Sequence, residues 1–404
     1  MVESSMSISA RSSEALARRF GTPLYVYDGD ALLARYERFR KAFAARETLL
    51  CYAFKANPLA ALARLLARAG AGCDVVSGGE LARALAAGFA PERVVFSGVG
   101  KTDDELRAGL RAGLLAFNVE SAEELARLAR TAARLKRRAP FAVRVNPDIR
   151  AGGHAHIVTG LAETKFGVEA AEALALYRRA ARSPWLRAAG LQCHLGSQIL
   201  SPAPYRRALA RATALLGAIA APLGHLDLGG GMGIGYDGGP GLSPEALARA
   251  LLPGLRGLPQ RLVLEPGRWL VGPVGALLTR VVARKTTSRR RFVVVDAGMN
   301  DLLRPALYGA RHRVVAVRPR RGAISAADIV GPVCETADFL ARGVRLGPAQ
   351  RGDVLAVLDA GAYGSSMGSQ YNSRPRPAEV VVRGGRARLA RRRETMGDLV
   401  RHEL

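Results

Sequence analysis

Eight short apolar runs, separated by longer segments in which apolar residues recur at helical spacing, constrain this chain more than any other feature. The runs fall at 49–54, 72–76, 93–96, 115–118, 141–145, 189–193, 225–228 and 261–264, and the helical patterns between them include 59–69, 79–87, 121–137 and 244–255. Strand followed by helix, repeated, predicts a parallel sheet with helices packed on it. Eight repeats predict an α/β fold of the (β/α)8 TIM-like barrel type in place of an open sheet. At 404 residues and 49% hydrophobic content, the chain can bury such a core and carry a second domain besides.

Past Trp269 the texture changes to strands with few helices, at 276–283, 292–295, 313–317, 354–358 and 379–382. The expected organisation is a barrel over 29–270 and a C-terminal β-rich domain over 271–404, joined by a strand at 22–27 within residues 1–28. No stretch reaches the roughly 18 apolar residues of a membrane span. Residues 1–10 lack the basic and apolar parts of a secretion signal, so a cytoplasmic setting is expected. Cys51, Cys73, Cys193 and Cys334 lie far apart without CxxC spacing, so free thiols are expected and no metal site. A formal net charge of +26 raises nucleic-acid binding, but its distribution argues for no nucleic-acid partner. The arginines are scattered through Ala-Leu-Arg helices such as 81–87 and 205–216, with dense runs only at 288–291 and 391–393, and read as solvated helix faces. The charge balance favours anionic substrates.

In a barrel of this kind the reacting groups come from the C-terminal ends of the strands. The residues after the runs are polar: Lys55-Ala-Asn57, Ser77-Gly-Gly-Glu80, Asn146-Pro-Asp148, His194-Leu-Gly-Ser-Gln198, Gly229-Gly-Gly-Met-Gly233 and Glu265-Pro-Gly-Arg268. Lys55 is the most informative, because the chain has six lysines against 54 arginines. An amine can lose its proton and form a Schiff base with an aldehyde, which a guanidinium cannot. The glycine run lets backbone N–H groups approach a phosphate, although alone it would serve equally as a tight turn. Glu265 can keep a pyridine nitrogen protonated, although an ion pair with Arg268 would also account for it. His194 can stack on a ring and by itself reads as a satisfied core histidine. Lysine, phosphate-binding glycines and a carboxylate on three strands of one barrel together specify pyridoxal phosphate far better than any one of them does. Two nucleotide motifs fail on context. Gly233-Ile-Gly-Tyr-Asp-Gly238 runs on into Gly239-Pro-Gly241 without opening a helix, and ahead of Gly100-Lys-Thr102 Val95 stands where a P-loop has its first glycine.

These motifs, with Tyr52-Ala-Phe-Lys-Ala-Asn57, resemble the fold-type III pyridoxal-phosphate decarboxylases. Asn300-Asp-Leu-Leu-Arg-Pro-Ala-Leu-Tyr308, Gly331-Pro-Val-Cys-Glu335 and Gly361-Ala-Tyr363 through Tyr371-Asn-Ser-Arg-Pro-Arg-Pro-Ala-Glu379 resemble the diaminopimelate decarboxylase branch, as does Thr159-Gly-Leu161 followed by Lys165-Phe-Gly167. The resemblance spans about residues 22–379. It implies that Lys55 carries the cofactor covalently, His194 stacks on the ring and Glu265 pairs with the ring nitrogen. It implies that Ser197, Gly230, Gly231, Gly267 and Arg268 hold the phosphate, and that Arg268, Arg304, Tyr308, Glu335 and Tyr363 touch substrate. Cys334 is then the proton donor. The family arrangement is a homodimer with shared active sites, in which Cys334, Glu335 and Tyr363 reach the cofactor of the partner subunit. The pattern departs at Ser365, where the family more often has an aromatic, and at Gly368 and Gln370, where it has Ser and Asn. That loop bears on side-chain selectivity.

The implied activity is decarboxylation of meso-2,6-diaminopimelate to L-lysine and CO2, the last step of lysine biosynthesis. The alternative within the fold is a decarboxylase of ornithine, arginine, carboxynorspermidine or a carrier-linked amino acid. Arg304 with Glu335 favours a substrate with a second amino-acid head, which ornithine lacks. A catalytically silent cofactor carrier fits less well, because the region after residue 270, Lys55 and Cys334 are all present.

Overall fold

A computed structural model of the chain describes residues 9–149, 165–236 and 238–404. The Thr159-Gly-Leu161 motif lies outside the described residues. The chain divides into two compact units, one of Arg35–Ile234 with Gly241–Gly267, the other of Met1–Ala34, Gly235–Pro240 and Arg268–Leu404. In chain order the strands are β1 (Leu24–Asp28), β2 (Thr48–Ala53), β3 (Gly72–Val75), β4 (Val94–Phe96), β5 (Ala116–Val119), β6 (Ala139–Val145), β7 (Leu186–Cys193), β8 (His225–Asp227) and β9 (Arg261–Leu264). They continue with β10 (Gly275–Thr286), β11 (Arg291–Val295), β12 (Val314–Ala316), β13 (Ser325–Val330), β14 (Phe339–Leu346), β15 (Val354–Val357), β16 (Ala378–Arg383) and β17 (Arg386–Arg391).

In the first unit β2 to β9 run parallel and close on themselves, β9 pairing back to β2 through Leu49 and Val263. This is the expected (β/α)8 barrel, and each of the eight apolar runs supplies one strand. The strands are apolar because both faces are covered, by helices outside and by side chains inside. Leu49, Cys51, Val95 and Val263 form one apolar layer of the interior. The returning helices begin where a hydroxyl satisfies an otherwise unpaired N–H: Ser77, Thr102, Ser121 and Ser243 each accept from the backbone nitrogen three residues on. Gly88 and Gly113 end two of them in left-handed conformation, at φ 94° and 79°. Lys101 of the failed P-loop is buried and structural, donating to Glu124, Gly98 O and Asn118 O at 2.7, 2.8 and 2.7 Å.

The second unit is a sheet in the order β14-β13-β11-β10-β1-β16-β17, with β15 pairing β10 and β12 pairing β15. The early strand lies inside this sheet, with Tyr25 opposite Leu277 on one side and Glu379 on the other. All five residues of β1 are buried. Leu16, Leu24, Val26, Leu278, Ala356 and Val380 pack against one another beneath it. The Tyr27 hydroxyl donates to the buried carboxylate of Glu379 at 2.6 Å, and Arg391 pairs with the same group at 2.9 Å. Three strands of this sheet, β13, β14 and β17, carry no apolar run long enough to announce them. No helix among the described residues is long and apolar enough to cross a membrane. The four cysteines are free, three of them buried and Cys334 exposed.

Candidate active site

Lys55 sits in a single 3-10 turn, Phe54–Ala56, that caps β2 at the barrel mouth. Its Nζ lies 2.8 Å from Asp74 Oδ2, and Asp74 is wholly buried on β3. Burial and the nearby charge of Glu265 push the Asp74 carboxyl up, against the pull of Lys55. Glu265, just past β9, is also buried. Burial alone would raise it, but its neighbours His194 and Asp227 and the positive field of Lys55 outweigh burial and hold it ionised, at about 2. Its neighbours are Gln192 Nε2 at 3.4 Å and His194 Nδ1 at 3.7 Å. Burial depresses His194, and its Nδ1 accepts the Gly230 N–H at 3.2 Å, so the ring is neutral and its proton is on Nε2.

The loop after β7 and the glycine run after β8 are joined by backbone hydrogen bonds. Ile199 N–H donates to Gly231 O and Gly233 N–H to Ile199 O, both at 2.9 Å. Gln198, at φ 59°, bonds the backbone of Ile234 with its amide. Glycine is required here by contact. A Cβ on Gly230 would run into the Glu265 carbonyl oxygen, and one on Gly231 into the Gly196 carbonyl oxygen, where φ is also 96°. A Cβ on Gly267 would stand 2.9 Å from the Ala53 Cβ and 3.0 Å from the Ala56 Cβ, against the Lys55 turn. Ser197 is half-buried in the same loop. Lys165-Phe-Gly167 is held by Glu120, which accepts from Gly167 N–H and from Arg144, both at 3.0 Å. This part of the pattern is scaffolding.

The second unit gathers another set. Arg268 donates to the Tyr236 hydroxyl and lies 4.8 Å from the Tyr363 ring centre. Arg304 lies 4.2 Å from the Tyr236 ring centre and donates from Nη1 to His312 Nε2 at 2.8 Å. Burial and the neighbouring Arg304 charge lower His312 to about 3, so it is neutral, and its Nδ1–H donates to Leu358 O at 2.8 Å. Burial lowers Arg304 itself to about 10. Tyr308 is half-buried at the end of the Arg304–Tyr308 helix.

Cys334 and Glu335 are exposed on a loop held by Asp338, whose two oxygens accept from Val333 N–H at 2.7 Å and Met299 N–H at 2.6 Å. The pair is gripped again by the turn at Tyr371–Ser373. Asn372 Oδ1 accepts the Cys334 N–H at 2.8 Å, and the Tyr371 hydroxyl donates to Glu335 at 3.3 Å. Asn372 and Ser373 both sit at positive φ, 55° and 53°. Non-glycine residues rarely adopt that region, so this backbone is held by its surroundings. Gln370, one of the departures, donates to Glu394 at 2.9 Å.

Sequence reasoning missed Asp74, Asp227, Tyr236, His312, Tyr371 and Asn372. For the two aspartates a signal existed: each is an acid inside an apolar strand run. The others sit in loops whose neighbours are set only by the fold.

The chain belongs to the pyridoxal-dependent decarboxylases: residues 30–272 match the family described as pyridoxal-dependent decarboxylase, pyridoxal binding domain. Its near relatives in that family are diaminopimelate decarboxylases. It is 49% identical to the enzyme of Neisseria meningitidis serogroup A over 394 residues, 96% of each chain. It is 50% identical to that of Pseudomonas aeruginosa over 388 residues, 95% of this chain and 93% of the other. The crystal structure of diaminopimelate decarboxylase from Helicobacter pylori complexed with L-lysine matches with a TM-score of 0.93 at 41% identity, covering 96% of this chain and 98% of that one. The residues at the barrel mouth fit the family's cofactor. Glu265 is a buried, ionised carboxylate beside a neutral histidine and an amide, with no arginine paired to it among the described residues, which suits a protonated pyridine nitrogen. Lys55 offers an amine at the barrel mouth, and the glycine run follows β8 at the same end of the strands, where a phosphate would be received.

Proposed function

We propose that this chain removes one carboxylate of meso-2,6-diaminopimelate as CO2 to leave L-lysine, working as a cytoplasmic homodimer with shared sites. The observation that carries the substrate is Arg304. It is a buried guanidinium resting on an aromatic ring and a neutral histidine, with no carboxylate partner among the described residues. A distal substrate carboxylate supplies that partner, and ornithine has none to offer. That the Helicobacter pylori relative is complexed with L-lysine supports the product.

Pyridoxal phosphate, when bound, supplies an aldehyde for an amine and a ring that accepts the electron pair left as the Cα–carboxylate bond breaks. Lys55 would carry it, and Asp74 orients the amine through the Nζ hydrogen bond. Glu265 would pair with the ring nitrogen and His194 would stack on the ring. Ser197, Gly230, Gly231, Gly267 and Arg268 would hold the phosphate, and Tyr363 would complete the cofactor contacts. Arg268 and Arg304 offer planar forks to substrate carboxylates, with Tyr308 and Tyr363 alongside, and Glu335 takes the distal ammonium. Cys334 Sγ–H donates a proton to the substrate α-carbon after CO2 leaves. The exposure of Cys334 and Glu335 on a fixed loop supports their serving a partner subunit's site. We take residues 29–270 as the cofactor domain and 271–404, with the strand in 1–28, as the β-rich one, a division supported by the two compact units.

The test is carbon dioxide release and product identification with purified protein, pyridoxal phosphate and meso-diaminopimelate, alongside ornithine, arginine and carboxynorspermidine. Lysine as product is the expected result, and preference for ornithine overturns the substrate. The cofactor's visible absorbance band should vanish in Lys55→Ala; a variant that keeps it overturns the role of the lysine.

A further inference from the structure

Among the buried acids of the barrel, Asp227 has no part in the reaction described above, yet it is placed where it acts on one that does. It is the last residue of β8, pairs with Gln192 on β7 and Val263 on β9, and is wholly buried. Paired residues of parallel strands point to one face, and side chains alternate along each strand. Asp227 and Glu265, two residues beyond Val263, therefore both enter the barrel interior from neighbouring strands, where the charge of each bears on the other. Asp227 Oδ1 accepts the Gly229 N–H at 2.8 Å. Its other oxygen, Oδ2, is buried with no donor among the described residues.

Two ionised carboxylates side by side can only accept, so neither can satisfy the other, and both lose hydration. One proton between them resolves this: the acid that holds it becomes a donor and the other stays an anion. The surroundings decide which one holds it. Glu265 has Gln192 Nε2–H and the field of Lys55, whereas around Asp227 stand Glu265, Asp74, Cys51 and Cys193, none of them cationic. Burial and the Glu265 charge push Asp227 well up while Glu265 is held down, in agreement with that assignment.

We infer that Asp227 is a positioning residue for Glu265: as a neutral acid it donates from Oδ2–H to the Glu265 carboxylate, while Oδ1, held by Gly229 N–H, fixes the direction of that bond. This deepens the reading of Glu265 as the group facing the ring nitrogen and rests on it. The glycine run then does two things, receiving the phosphate and aiming the acid that aims Glu265. Glu265 N–H also donates to Gly229 O at 2.8 Å, so the backbone tie and the side-chain tie end on one glycine.

The test uses purified holoenzyme. Wild type should show an infrared carboxylic-acid carbonyl stretch at neutral pH that is missing from Asp227→Asn, whose amide keeps both hydrogen bonds without titrating. Asp227→Asn should keep its pyridoxal phosphate affinity and absorbance spectrum close to wild type. Asp227→Leu, lacking the donor, should bind the cofactor about tenfold more weakly and show a shifted absorbance spectrum, the loss expected for one hydrogen bond to a charged group. An infrared difference without that band overturns the inference on the folded Asn variant alone, even where the Leu variant does not fold. Glu265→Gln is measured in parallel. If Glu265→Gln leaves spectrum and affinity unchanged, the role of Glu265 falls; if it alters them while Asp227→Leu does not, only the role of Asp227 falls.

Discussion

A guanidinium taken out of water needs compensation for its lost hydration, and at Arg304 this comes from the Tyr236 ring and the His312 lone pair. Neither partner carries a negative charge, so the site is electrostatically incomplete until an anion arrives. Histidine suits the position because, held neutral, it accepts from the arginine on one nitrogen and donates to Leu358 O from the other. The first prediction follows from this balance. Arg304→Gln should raise KM for meso-diaminopimelate and lower kcat/KM by roughly 10- to 100-fold, since a charge-assisted hydrogen bond to a carboxylate contributes about 1.5 to 3 kcal/mol. Steady-state kinetics check this, with circular dichroism to confirm an intact fold. An unchanged KM would show that the distal carboxylate is bound elsewhere. His312 had no signal in the sequence, because a histidine between Arg311 and Arg313 looks like any polar loop residue. Arg304 was legible only through the motif around it.

At the scale of elements, the ends of β8 and β9 meet so closely that Gly230 leaves no room for a methyl group beside the Glu265 carbonyl. Gly230→Ala should therefore force the two strand ends apart, lowering stability by about 1 to 3 kcal/mol as overpacking does and weakening pyridoxal phosphate binding with it. Thermal unfolding with and without cofactor measures both; an unshifted midpoint and an unchanged cofactor affinity would refute the steric reading. At the start of β8, a Cβ on Gly190 of the neighbouring strand would collide with the His225 imidazole, whose pKa is lowered to about 4 by burial and by the fields of Arg187 and Arg261. The unfolded chain takes up this proton near about pH 6.5, whereas the folded one resists it. Acid therefore removes stability between those values, because the unfolded state binds a proton the native state does not. Urea midpoints taken at about pH 7 and about pH 5 should fall less in His225→Leu than in wild type. A parallel fall in both proteins would exclude His225 as the cause. The eight barrel strands were legible because burial on both faces makes them predominantly apolar. By contrast β14, Phe-Leu-Ala-Arg-Gly-Val-Arg-Leu, and β17, Arg-Ala-Arg-Leu-Ala-Arg, lie at the two edges of their sheet and keep many residues in water, so strand pairing rather than burial defines them. Asp74 and Asp227 stood in plain view as acids inside apolar runs, and the core reading of those runs obscured them.

At the scale of the molecule, the reading of shared sites makes a prediction that no single subunit can meet. Lys55→Ala and Cys334→Ala should each be inactive, but mixing the two under conditions that allow subunit exchange should restore about a quarter of wild-type activity, since half the dimers then hold one intact site. No recovery after demonstrated exchange would mean that each subunit works on its own residues. The excess of arginine is not all solvated surface either: Arg144, Arg268 and Arg304 are buried, and each lies over an aromatic ring. The pairing of β1 has a different kind of consequence. Tyr27 and its partner Glu379 are separated by 352 positions, while every strand of the barrel lies between them. As the polypeptide leaves the ribosome, the barrel can close long before β1 meets its parallel neighbour. The arrival of β16 is thus the event that covers the open side of β1, with β17 added after it, and synthesis halted before it yields a complete barrel trailing an unpaired strand edge open to wrong partners.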